Sequence, residues 1–151
     1  MERAKYSANQ IAKWFLFYNR TMMEEYDADL ISNLKLQKLL YYAQGCYLAL
    51  RNRPLFNEKI LAWKHGPAIN EVYQEYKMNK SNGIPYNDTY TDYIDSDTEE
   101  ILKQVYEAFG QYSAWGLRNM THAETPWIET EQSEEIKTES IKKYFKEHYV
   151  S

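Results

Sequence analysis

SNLKLQKLLYYAQGCYLAL, residues 32–50, dictates how the rest of the chain must be arranged. It is long enough for about five helical turns, and no proline interrupts it. At about 100° per residue, Leu36, Leu39, Leu40, Ala43, Cys46, Tyr47 and Leu50 share one broad stripe. Leu34, Tyr41 and Leu48, spaced by sevens, form a second stripe well round the cylinder. A helix that is apolar on two sides either sits in the middle of a bundle or packs on one side and offers the other to a partner. Gln37 and Gln44 lie between the stripes, where burial would oblige each to find hydrogen-bond partners. Ser32 is a good N-cap, and 52–54, Asn-Arg-Pro, ends the helix.

Upstream, Ser7 and Gln10 make a capping box for a first helix that runs to Arg20 or a little beyond. Its face carries Ile11, Phe15, Tyr18 and Met22, with Trp14 and Phe17 off that line, and residues 27–31 are the connection. Downstream, Ile60, Leu61, Ala62 and Trp63 are too short a run for a helix and read as an extended segment. Gly66-Pro67 breaks it, and Pro67 fits the first position of a new helix with Ile69, Val72, Tyr73 and Tyr76 inward. Residues 77–97 read as one long loop, and loops of that length are usually functional or mobile. Ser96 with Glu99 forms a second capping box for a helix to about Tyr112. Ser113 caps a short helix carrying Trp115, Leu117 and Met120, THAETPWIET is a compact loop, and Thr138 caps a last helix with Ile141, Tyr144 and Phe145.

Composition narrows the function classes. With 44% hydrophobic and 26% charged residues the chain is globular, and 151 residues suffice for one domain without staples. Fifteen tyrosines and four tryptophans suit either a tyrosine-rich core or a protein-binding face. The net charge of −4 is divided: residues 1–80 hold 12 Lys+Arg against 8 Asp+Glu, and residues 81–151 hold 6 against 14. That balance argues against a dedicated nucleic-acid binder. Cys46 stands alone, which rules out an internal disulfide framework and agrees with a reducing compartment. MERAKYSANQ has no apolar h-region, and no run approaches the length of a membrane span, so a cytoplasmic protein is expected.

The chemical motifs are mostly absent: there is no GxSxG, HExxH, P-loop or GxGxxG. The acidic run Asp88, Asp92, Asp95 and Asp97 lacks EF-hand spacing and reads as loop and helix-start composition, so no metal or cofactor is expected. His65, in AWKHGP, and His122, in THAETPW, either hydrogen-bond a loop or act as a general base if a carboxylate such as Glu124 comes beside them. Trp63 and Trp127 are core plugs or interface anchors. Lys35, Lys38, Arg51 and Arg53 give the central helix a basic flank, read as a solvated face.

NQIAKWFL, SNLKLQKLLYYAQGCYLAL, PLFNEKILAWKHGPAINEVYQEY, THAETPW and the IKKYF helix, in that order, cover most of residues 7–146. This succession resembles the bacterial and phage Panacea domain, the SocA-like antitoxin domain. Gln37, Gln44, Gly45, Gly66, Pro67 and Pro126 are the structural positions of the matching motifs. His65 departs from the pattern, which more often has an aromatic or other residue there. The resemblance implies a compact, mainly α domain around a central helix at about 33–51, with a short extended segment near 59–64. It also implies an antitoxin, without catalysis, that binds a cognate protein toxin encoded beside it, by occlusion or by delivery to a AAA+ protease. Some family members add a DNA-binding domain, for which this chain is expected to have no room. The expected toxin contacts are Tyr41, Tyr42, Trp63 and Trp127, with His65, His122 and Glu124 as polar neighbours.

Overall fold

The computed structural model describes residues 3–26 and 28–150; residue 27, part of the expected connection, lies outside the described residues. The first helix, α1 (Ala8–Tyr26), starts on the anticipated capping box. Gln10 N donates to Ser7 Oγ at 3.1 Å, and Ser7 N donates to Gln10 Oε1 at 2.8 Å. The helix continues past Arg20 to Tyr26. Trp14, off the expected face, is fully buried all the same: its Nε1 donates to Glu99 Oε2 at 2.8 Å and its ring stacks on Tyr18.

The central helix, α2 (Asn33–Arg51), begins where Ser32 Oγ accepts from Lys35 N and ends at Asn52, whose left-handed backbone (φ 59°) turns the chain. Most of both apolar stripes lies inside: Leu36, Leu39, Leu40, Tyr41 and Leu48 have no exposed surface, while Leu34 and Cys46 are half-buried. Of the alternatives for a two-sided apolar helix, the bundle centre is the one realised. Leu50 stays exposed at the last turn. Gln44, buried, bridges back to the segment after the helix, donating to Phe56 O at 2.8 Å and accepting from Leu55 N at 2.7 Å.

A hairpin follows, β1 (Leu61–Trp63) and β2 (Gly66–Ala68), antiparallel with Ala62 opposite Pro67. Pro67 is therefore a strand residue and not the first residue of a helix, which starts only at α3 (Asn70–Tyr76). The register explains why proline is tolerated. The Ala62 N–H and C=O both point away from β2, to Glu134 O at 2.9 Å and Ser133 N at 2.7 Å, so the missing Pro67 N–H belongs to a pair that exchanges no bonds across the hairpin. Gly66 closes the turn at φ +107°, a backbone that side chains rarely adopt.

The expected long loop is broken by a 3-10 turn at Lys77–Asn79, and the rest straps the bundle: Ile84 N donates to Ile31 O at 2.8 Å, and Tyr90 stacks on Phe17. Helix α4 (Ser96–Phe109) is capped by Asp95, whose side chain accepts from Thr98 N, and not by Ser96, which is already helical. With Asp95 as the N-cap, the N3 position is Thr98, so Glu99 is out of register for a capping box, and its carboxylate accepts from Trp14 instead. Helix α5 (Ala114–His122) has the expected Ser113 cap. The supposed THAETPWIET loop contains the end of α5 and a helical turn, α6 (Thr125–Ile128), with buried Pro126 at its start. Helix α7 (Thr138–His148) takes Lys137 as its N-cap position, without a side-chain cap, so Thr138 is the first helical residue. Helices α1, α3, α4, α5 and α7 and strand β2 all pack on α2. Among the described residues, no helix is long and apolar enough to cross a membrane.

At Gly45, α7 packs closely on α2: a Cβ there would run into the Phe145 ring. Valine gains a few tenths of a kcal/mol of helix propensity over glycine, whereas overpacking a filled core costs about 1–3 kcal/mol. Gly45→Val is therefore expected to lower stability by about 1–3 kcal/mol, read from urea unfolding.

Candidate functional site

The outer edge of β2 would present unpaired backbone groups, and α2 covers them. Lys38 Nζ donates to Pro67 O at 2.9 Å, and Gln37 Oε1 accepts from Ile69 N at 2.8 Å. Gln37 Nε2 donates to Asn33 Oδ1 at 2.9 Å, and Asn33 Nδ2 donates to Tyr73 O at 3.1 Å, which carries the network on to α3. Gly66 completes the fit, since a Cβ there would come within 2.6 Å of Lys38 Cε and 2.8 Å of Thr121 Oγ1. Gln37, Gly66 and Pro67 thus bind the hairpin to the central helix.

This joint leaves a cleft of about 590 Å³ between α2, the hairpin turn and α3, with Leu34, Trp63, Ala68 and Tyr73 on its mostly apolar wall. Trp63 is half-buried and meets Tyr73 edge to face, with ring centroids 5.1 Å apart. Trp127 stands behind it, donating from Nε1 to Trp63 O at 2.8 Å, and His122 stacks on Trp127 at 3.9 Å. His65, exposed at the turn, faces Trp115 at 5.8 Å. The structure thus gathers Trp63, His65, His122 and Trp127 into one partly exposed aromatic region.

Tyr41, Tyr42 and Glu124 lie elsewhere, and they are buried. Tyr41 and Tyr42 each donate to Glu124 at 2.8 Å, and Tyr149 at the end of α7 donates to the same carboxylate. These three residues are no surface anchors; they join α2 to the start of α6 and, through Tyr149, to α7. Burial lifts the Glu124 carboxyl above the usual carboxylate range, and the three hydroxyls pull it part of the way back. None of its hydrogen bonds goes to His122, so the acid–base pair considered from sequence is not assembled. The Cys46 thiol, pushed up to about 12 by burial, is no nucleophile at neutral pH.

Lys38 departs furthest from its reading as a solvated residue, since it is 1% exposed. Burial, with the Arg118 guanidinium adding repulsion, brings its amine down to about 7. Its importance was visible only as a lysine between the stripes of a helix apolar on two sides. Arg118 and Tyr149, which complete the electrostatics and the tyrosine cluster, gave no signal in the sequence. Asp95 and Asp97 have structural roles: Asp95 accepts from Tyr6, and Asp97 pairs with Arg51.

An amine that titrates near 7 when folded and near 10.5 when unfolded binds fewer protons in the folded state between those values, so it makes stability rise with pH across that window. Between pH 7 and 8, below the range in which the unfolded Cys46 thiol and the tyrosines titrate, urea unfolding is expected to show this rise, and Lys38→Met is expected to flatten it. Glu124→Ala removes the acceptor of three tyrosine hydroxyls and is expected to cost about 3 kcal/mol or more by the same measurement.

No solved structure matches the chain significantly. Antitoxin SocA of Caulobacter vibrioides is 36% identical over 109 residues, an alignment covering 64% of this chain, and the chain spans 58% of that relative's length. The family model described as "Antitoxin SocA-like, Panacea domain" matches residues 36–128, which take in most of α2, the hairpin, most of the cleft wall and α6. The match covers more than half of the chain, which therefore belongs to the SocA-like Panacea domain family.

Proposed function

We propose that this protein is an antitoxin that neutralises a cognate protein toxin by direct binding, with the cleft beside Trp63 as the contact. The observation that carries the reading is the coincidence of two things. The family-matched segment, residues 36–128, is also the segment that places Trp63, His65, His122 and Trp127 in one partly exposed aromatic region. The similar protein from Caulobacter vibrioides bears the name antitoxin.

Binding, and not chemistry, is the mode of action in this reading. Glu124 is committed to three tyrosines and His122 to the face of Trp127, which leaves no assembled acid–base pair. A half-buried tryptophan between an aromatic wall and exposed polar turn residues is the kind of anchor that dominates interface energies. Tyr41, Tyr42 and Glu124 support the contact from below by holding α2 to α6. Action in the cytoplasm, where a lone reduced cysteine is at ease, is part of the same proposal.

The test is expression of each neighbouring reading frame alone and together with this protein. One neighbour is expected to arrest growth, to be rescued, and to co-purify. Trp63→Ala, still folded by circular dichroism, is expected to weaken the complex at least about tenfold. Unchanged protection by that variant would remove the cleft from the mechanism, and arrest by neither neighbour would overturn the antitoxin reading. Protection lost in cells without AAA+ proteases, while co-purification persists, would replace occlusion by delivery.

A further inference from the structure

The chain carries 22 Asp+Glu against 18 Lys+Arg, yet no carboxylate lines the cleft, while Lys38, Lys64 and Lys80 all do. None of the three is paired with a carboxylate among the described residues. Lys38 is buried between α2 and β2 and gives one of its three N–H donors to Pro67 O. Helix α5 adds the Arg118 guanidinium, which repels the Lys38 amine, and Arg118 Nε and His122 Nε2 are buried without hydrogen-bond partners. Lys38, Arg118 and His65 all act repulsively on His122. The cleft is thus an apolar surface with uncompensated positive charge along it.

We propose that the cleft receives an acidic side chain of the protein toxin, its carboxylate directed to Lys38 and an adjoining apolar residue laid against Trp63 and Tyr73. The inference rests on the antitoxin reading and specifies what the toxin must present. Charge complementarity selects the occupant. A cationic or neutral polar segment would leave the lysine charge unanswered, whereas a carboxylate supplies the counterion that the amine, bonded only to Pro67 O, lacks, in a setting where a charge-assisted bond is worth more than in water. The apolar wall, larger than any carboxylate, calls for a hydrophobic residue next to the acid. Binding also carries a signature: a carboxylate beside an amine that titrates near 7 favours its protonated form, so the complex takes up a proton when formed between pH 7 and 9.

The experiment titrates the full chain, followed by two-dimensional amide NMR, with acetyl-Phe-Glu-Phe-amide, with its Gln twin and with inorganic phosphate. The Glu peptide is expected to bind about tenfold more tightly than the Gln peptide. It should move the amides of 33–38, 64–66 and 68 and take up a proton at pH 8 by calorimetry in two buffers. Lys38→Met is expected to erase the preference. Lys64→Glu, at an exposed turn and harmless to the core, is expected to reduce it as well, so a misfolded Lys38 variant does not remove the test. Equal affinity for the two peptides, or no shifts with either, overturns the inference. Phosphate binding as tightly as the Glu peptide also overturns it, in favour of a small-anion site. Growth rescue without peptide discrimination counts against this inference alone, and discrimination without rescue counts against the antitoxin reading alone.

Discussion

Helix α2 is enclosed by five other helices and by β2, so every polar side chain on it must be met by a group from another part of the chain. A buried polar group left without a partner costs about 1–3 kcal/mol, a large fraction of what holds an ordinary domain together. Gln37 meets the backbone of Ile69, Gln44 meets Leu55 and Phe56, Lys38 meets Pro67, and Tyr41 and Tyr42 meet Glu124. These pairings give the bundle its register, because an apolar packing alone would tolerate sliding and a buried amide does not. Gly45 and Gly66 belong to the same constraint, letting Phe145 and Lys38 approach where a Cβ would stop them.

The same joint creates the candidate site. Since β2 is short and its outer edge is covered by side chains from α2 rather than by another strand, the space beside it is filled incompletely, and the cleft is what remains. Its wall is aromatic because the hairpin carries Trp63 and α3 carries Tyr73. Its floor is charged because the edge-covering group at Pro67 is an amine. Structure and site therefore share residues: the buried lysine that secures the hairpin also lines the cleft. The tyrosine cluster on Glu124 serves a different purpose, tying α2, α6 and the end of α7 together.

Much of the fold was legible in the sequence because it is local. The caps at Ser7, Ser32 and Ser113, the central helix and the extended run at Leu61–Trp63 follow from hydrogen bonds and periodicity within a few residues. The misreadings share a cause. Pro67 looked like a helix start because its neighbours allow one, and only its register opposite Ala62 makes it a strand residue. Ser96 and Glu99 have capping-box spacing, but Asp95, held by the distant Tyr6, takes the cap one residue earlier. The THAETPWIET segment looked like a loop because α6 is a single turn, too short for a periodic signal.

The candidate site was legible in its aromatic half and hidden in its polar half. The sequence by itself determined that the chain is mainly helical, that residues 32–50 are its centre, and that Trp63, His65, His122 and Trp127 lie in two motif segments. Only the tertiary structure decided that these segments meet, that Tyr41, Tyr42 and Glu124 are buried together, and that Lys38 is an enclosed cation rather than a solvated one. The physical reason is the range of the interactions. Helix periods and caps act over three or four residues, whereas burial and charge at Lys38 depend on the approach of Pro67 and Arg118, set by packing across the whole bundle.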